Sequence, residues 1–187
     1  MGIVLLGTTR SLDGFINDRN GDIGRLYPDL AELRETEMLQ EEIRTTGAAV
    51  MGRRAFAMAD PDTFADYYEF QVPIFVLTHA APQKLPKQNE RLTVTFVTDG
   101  VHSAIRQAKA AAGDKNVQVI GGASTAQQLL RAGLVDELQI GIVPVLLGEG
   151  LRFFENIGPE QVQIERIKVI ESPGRTDLRF RVLKQAV

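Results

Sequence analysis

Three short stretches of this chain put phosphate-compatible groups directly after apolar runs. In KNVQVIGGASTAQQLLRAGLVDEL (115–138), Gly121 and Gly122 separate the β-branched run Val117, Val119 and Ile120 from a helical repeat of Ala126, Leu129 and Leu130 that Gly133 stops. Glycines let a ligand approach the backbone, and the N–H groups of Ala123, Ser124 and Thr125 would face outward at the positive end of a helix dipole. That is a seat for phosphate. The same pair also serves a plain strand-to-helix turn, and the segment alone leaves both readings open.

The second stretch is AAVMGRRAF (48–56), where Gly52 again ends an apolar run. Arg53 and Arg54 follow it with two forked guanidinium groups suited to phosphate, although an arginine pair also serves as solvated surface. The third is PIFVLTHA (73–80), which ends in Thr78 and His79. Ligands of open α/β sheets bind outside the carboxyl ends of the strands, and three such ends here carry compatible groups. The coincidence strengthens each.

Positioning these ends requires strands that alternate with helices. Ile3 to Leu6 reads as a first strand, and Thr8 to Asn17 as a loop carrying the turn pair Asp13-Gly14. From Asp29 to Thr45, Leu30, Leu33, Met38, Leu39 and Ile43 mark one or two amphipathic helices. Strands are expected at 48–51, 73–77, 92–97 and 137–143, the last closed by Pro144. A helix is expected over 101–112, with Asp99 near its start and Gly113 at its end. Two extended runs around Pro173-Gly174, with Leu178, Phe180 and Val182 alternating against Arg179 and Arg181, form an antiparallel hairpin on a sheet edge. The pattern predicts a single three-layer α/β domain over residues 1–187, its central sheet mixed and mostly parallel.

Composition narrows the chemistry. The 187 residues include no cysteine, which excludes disulfides, thiolate nucleophiles and cysteine-held zinc or iron–sulfur, and suits the cytoplasm. Only two histidines exist, so a His-rich metal site is excluded, and His102 has no supporting context. A net charge of -3 gives no general attraction to nucleic acid, and GIVLLG at the start is too short to cross a membrane.

Taken together, SLDGFIND (11–18), VMGRRAF (50–56), PIFVLTHA (73–80), VIGGASTAQQLLRAGLVDEL (119–138) and PVLLGEGLRFF (144–154) resemble the dihydrofolate reductase-like family. The nearest branch is that of the reductase domain of the bifunctional riboflavin biosynthesis protein. The match spans nearly the whole chain, in order. The resemblance implies a dihydrofolate reductase fold and an NADPH-dependent reductase that acts on a small pterin-, folate- or ribitylaminopyrimidine-like heterocycle. The alternative is a dinucleotide-binding module without turnover.

By the same resemblance, Gly52, Arg53 and Arg54 contact the 2′-phosphate and pyrophosphate, and Thr78 and His79 flank the 2′-phosphate. Gly121, Gly122, Ala123, Ser124 and Thr125 receive the pyrophosphate, while Thr9 and Ile16 border the nicotinamide. Asp13, of the SLDG motif, and Asp60, in an ADP stretch like a substrate-side loop, are substrate contacts. The family's threonine two places after the arginine is Ala55 here. No single carboxylate among Asp29, Glu32, Glu35 and Glu37 aligns with the acid of true dihydrofolate reductases, so the proton donor is unassigned. Related reductase domains are commonly dimers, and the apolar 144–154 stretch with the C-terminal hairpin supplies a surface for a homodimer.

Overall fold

A computed structural model describes residues 2–28, 30–158, 161–172 and 174–184. Parallel pairing between strands far apart in the chain organises it. The strands are β1 (Val4–Ser11), β2 (Thr46–Gly52), β3 (Ile74–Leu77), β4 (Val94–Val97), β5 (Asn116–Ile120), β6 (Glu137–Val143), β7 (Ile164–Ser172) and β8 (Arg175–Val182). They form one sheet in the order β4-β3-β2-β5-β1-β6-β8-β7. Pairing from β4 across to β6 is parallel throughout, and β8 is antiparallel to both β6 and β7. Only β8 runs against the rest.

The inner strands read as continuous apolar runs because helices cover both faces. On one face Val4, Leu6, Ala48, Val50, Val117 and Val119 pack with α5 (Val101–Ala112) and α6 (Ala123–Arg131). Those helices present Ala104, Ala108 and Ala126, whose small side chains let them lie close to the sheet. On the other face Ala49, Met51, Ile74 and Val76 meet Phe56 of α3 (Arg53–Phe56) and Phe64 of α4 (Phe64–Tyr67). The second layer also carries α1 (Leu30–Arg34) and α2 (Glu37–Thr45). The mixed, mostly parallel three-layer architecture expected from the sequence is the one observed.

Two local expectations are corrected. The loop expected from Thr8 begins only after Ser11, because β6 runs beside β1 in register from Leu5↔Glu137 to Ser11↔Val143 and holds TTRS extended. Helix α5 spans the expected residues with Asp99 near its start, and Gly100 at its N-cap gives no side-chain bond. The apolar stripe of residues 30–45 is only shallowly covered, with Leu30 44% exposed, and the buried residue of α2 is Glu42. Asp29 and Pro173 lie outside the described residues.

Candidate functional site

The glycine-rich end of β5 and the arginine end of β2 meet. Gly52 donates its N–H to the Gly121 carbonyl at 3.2 Å. A Cβ at Gly52 would stand 2.5 Å from Thr125 Oγ1, and one at Gly121 would stand 3.2 Å from Ala55 Cβ. Glycine is favoured at Gly52 by the close approach of Thr125, and at Gly121 chiefly by a φ of 62°. Gly122 differs. It is the N-cap of α6 in extended conformation, its side-chain direction opens on empty space, and no side chain caps the helix. The first-turn N–H groups of Ala123, Ser124 and Thr125 therefore have no hydrogen-bond partner among the described residues, and no acidic residue neutralises the dipole there.

Arg53 and Arg54 open α3 immediately beside this point and are exposed. Neither guanidinium has an ion pair or hydrogen bond among the described residues. Two cations and three free N–H groups around glycine backbone make a seat for an anion such as pyrophosphate.

Thr78 and His79 end β3 nearby. The Thr78 hydroxyl donates to the Ala80 carbonyl at 2.9 Å and accepts from the Ala80 N–H at 3.3 Å, so it shapes the loop after β3. His79 is exposed. A cavity of about 420 Å³ opens here, lined in part by Arg53, Phe56, Asp60, Thr78, Leu85 and Phe96. Asp60 caps the turn Pro61–Thr63, its Oδ1 accepting from Asp62 N–H at 3.0 Å.

The loop after β1 is built differently. Asp13 Oδ1 accepts from Ser11 Oγ at 2.5 Å and from Leu147 N–H at 3.2 Å, while Oδ2 accepts from Gly148 N–H at 2.8 Å. These bonds, the one from Ser11 foremost, hold its pKa down to about 2. Arg152 donates to the Asp13 carbonyl and lies over the Phe15 ring at 4.3 Å. Backbone bonds from Leu12 to Val145 and from Ile16 to Leu151 complete a zipper between residues 11–18 and 144–152. Ile16 is half-buried and packs against the edge of the core cluster.

Thr9, on β1, belongs to a polar patch. Its hydroxyl accepts from Arg175 Nη1 at 3.1 Å, and a Cβ on Gly141 would stand 2.9 Å from Asp177 Oδ1 and 3.3 Å from Thr9 Oγ1. The structure thus brings the three stretches 52–54, 78–79 and 121–125 to one end of the sheet, and places Asp13 and Thr9 on the neighbouring strand β1 and its loop.

Of the carboxylates weighed as an acid, Glu32, Glu35 and Glu37 are exposed. A glutamate not among them, Glu42, is buried, 8% exposed, with Oε1 lacking any hydrogen-bond partner among the described residues. Burial raises its pKa to about 7, against the pull of Gln139 and Arg179. Sequence reasoning missed it. The available signal was position: Glu42 follows Met38 by one helical turn, inside the stripe marked by Met38, Leu39 and Ile43.

An uncharacterized protein of Bacillus subtilis (strain 168), YyaP, is 27% identical over 165 residues, covering 82% of this chain and 81% of that one. A putative riboflavin biosynthesis protein from Shewanella sp. PV-4 superposes with a TM-score of 0.78 at 21% identity, over 97% of this chain and 99% of that one. Dihydrofolate reductase from Enterococcus faecalis, solved with NADP(H), superposes with a TM-score of 0.64 at 18% identity over 98% of each chain. The fold is dihydrofolate reductase-like. Since the model of the RibD C-terminal domain matches residues 3–176, the chain belongs to the RibD C-terminal domain family.

Proposed function

We propose that this protein is an NADPH-dependent reductase acting on a small heterocycle, either pterin- or folate-like or ribitylaminopyrimidine-like. The observation that carries the reading is the uncapped start of α6 at Gly122, with Gly52 abutting it and Arg53 and Arg54 beside it without a partner among the described residues. In this reading Gly121 to Thr125 receive the pyrophosphate, and Arg53 holds the 2′-phosphate with Arg54, Thr78 and His79 around it. Thr9 and Ile16 border the nicotinamide. The bound cofactor supplies a hydride to a C=N or C=O bond of the substrate.

The chain's own work is binding and orientation. Asp13, engaged by three protein donors, fixes the loop beside the substrate, and Asp60 keeps Oδ2 for a ligand. A hydrogen bond to a charged group is worth roughly 1.5–3 kcal/mol net, so Arg53 should favour NADPH over NADH by about one to two orders of magnitude.

Loss of NADPH absorbance in the near ultraviolet with dihydrofolate, a pterin and a ribitylaminopyrimidine-like substrate tests the reading. Turnover of any one supports it. Binding of NADPH without turnover across the panel favours a dinucleotide-binding module, the reading to which the exposed Glu32, Glu35 and Glu37 lend weight. No helix among the described residues is long and apolar enough to cross a membrane. The cysteine-free composition fits a cytoplasmic setting.

A homodimer is part of this reading, and exposed apolar surface supports it. Leu12 and Leu146, 66% and 68% exposed, crown the zipped loops, and β7 is an open edge strand carrying exposed Ile164, Ile167 and Val169. Sedimentation at micromolar concentration checks this: a monomer alone would refute it.

A further inference from the structure

The cavity of about 420 Å³ lies apart from the pyrophosphate seat. Its floor is Phe56 and Phe96, whose rings meet edge to face at 5.9 Å. Both pack with the cluster on the α3 and α4 face of the sheet, whereas the start of α6 belongs to the opposite face. Helix α3 stands between the two spaces, turning Ala55 toward Gly121 and lining the cavity with Phe56. Pro82, Leu85 and Pro86 form the facing lip. The volume falls within the roughly 300–1,000 Å³ of small-molecule sites, which are likewise apolar with a few placed polar groups.

Most of the polar groups in the wall are already engaged. Lys84 pairs with Asp62 Oδ2 at 3.6 Å, and Asp62 Oδ1 accepts from the Lys87 N–H at 2.8 Å. The Thr78 hydroxyl is held by Ala80. The exposed Lys84 ammonium keeps spare donors, and two groups have no partner at all among the described residues: the Arg53 guanidinium and Asp60 Oδ2. A ligand that satisfies both has a flat ring for the aromatic slot, an N–H donor for Asp60 and an anionic group for Arg53.

We propose that this cavity is a second ligand site, which takes a phosphorylated purine nucleoside separately from the dinucleotide. The base lies between Phe56, Phe96 and the Pro82–Leu85 lip, an exocyclic amine meets Asp60, and the phosphate meets Arg53. Where the reductase reading holds, one consequence follows. Arg53 serves one phosphate at a time, so an occupant of the cavity weakens the hold on the 2′-phosphate most, while Arg54 and the N–H groups that open α6 still hold the pyrophosphate.

Calorimetric titration of the full chain with adenosine 5′-monophosphate tests the site without any turnover. Binding is expected in the wild type and in Gly122→Val, whose added methyls enter only the space over α6. It should weaken about tenfold or more in Ala57→Phe and in Leu85→Trp, exposed wall positions whose larger side chains fill the cavity. In kinetics the nucleotide should raise KM for NADPH and leave KM for NADH unchanged. Absence of binding overturns the proposal, as does binding lost in Gly122→Val and kept in Ala57→Phe. Weakening of NADH by Ala57→Phe to the same degree also overturns it, because the cavity then holds the dinucleotide's own adenosine. Failure of NADPH to bind or react leaves the titration readable, so the two readings fail separately.

Discussion

The loop that follows β1 and the turn that follows β5 are both glycine-bearing exits from adjacent parallel strands, yet they treat polar groups in opposite ways. After β1, the Asp13 carboxylate takes three donors from its own chain, and the loop is fastened to residues 144–152. After β5, the N–H groups that open α6 have no taker among the described residues, and the neighbouring arginines have none there either. A saturated carboxylate makes a rigid wall. Unsatisfied donors in a row make a site, because a ligand can supply there what the protein does not.

The strongest way to break this contrast is Gly122→Val. The position has ordinary φ and open space beyond it, so the folded protein should keep its Tm while NADPH affinity falls about a hundredfold, roughly 2.7 kcal/mol. A matching fall in Tm would show that glycine is there for the turn alone. Equilibrium dialysis and thermal unfolding of the same sample read both.

Glu42 sharpens the comparison from inside the protein, as the reverse of Asp13. Its folded pKa of about 7 stands above the ordinary 4.5, so it opposes folding only when ionised. Below pH 4.5 the group costs nothing. As pH rises from there to 7 the unfolded chain releases a proton that the folded chain keeps, and stability declines before levelling off. Glu42→Gln should leave stability at pH 4 unchanged and raise it by about 2–3 kcal/mol at pH 8, measured by urea unfolding at both. No difference between the two pH values would show that the carboxyl is already stabilised as an anion. Arg179, Asp177 and Glu41 also face it and belong in any fit of the titration.

A smaller effect is expected at Arg53. Its replacement by Ala should cost NADPH about tenfold, roughly 1.4 kcal/mol, and leave NADH nearly unaffected. Equal loss for both would move Arg53 onto the pyrophosphate. The mildest change is Asp13→Asn, which keeps one acceptor and loses the charge: Tm should drop slightly and proteolysis within residues 11–18 should quicken. An unaltered digestion pattern would mean the backbone zipper suffices without the carboxylate.

Much of this arrangement was legible in the residues. The strand-to-helix turn at Gly121-Gly122, the helix 101–112 and the C-terminal hairpin have local signatures, periodicity and stop signals that no distant contact had to create. What escaped was set by partners far along the chain. TTRS looks like a loop until β6 lies beside it, and Asp13 looks like a free acid until Leu147 and Gly148 arrive from more than a hundred residues away. Glu42 looks like one more solvated glutamate, because burial depends on what α2 covers and not on its own spacing. The cavity beside Arg53 is the joint product of three loops, and none of them announces a hollow.

The place of β1 in the sheet bears on how the chain is made. It leaves the ribosome ahead of β2 to β8, yet it belongs between β5 and β6, with Ile3 N–H bonded to the Asn116 side chain and Val4 N–H to Asp136, separations of 113 and 132 residues. Its apolar run must therefore wait, exposed, until most of the chain has been synthesised. Closing so long a loop precedes any gain from the pairing, which makes its insertion a slow, late event in folding. Until then Val4, Leu5 and Leu6 form a β-prone segment open to other chains, and a chaperone that binds short hydrophobic strands would find its target in β1.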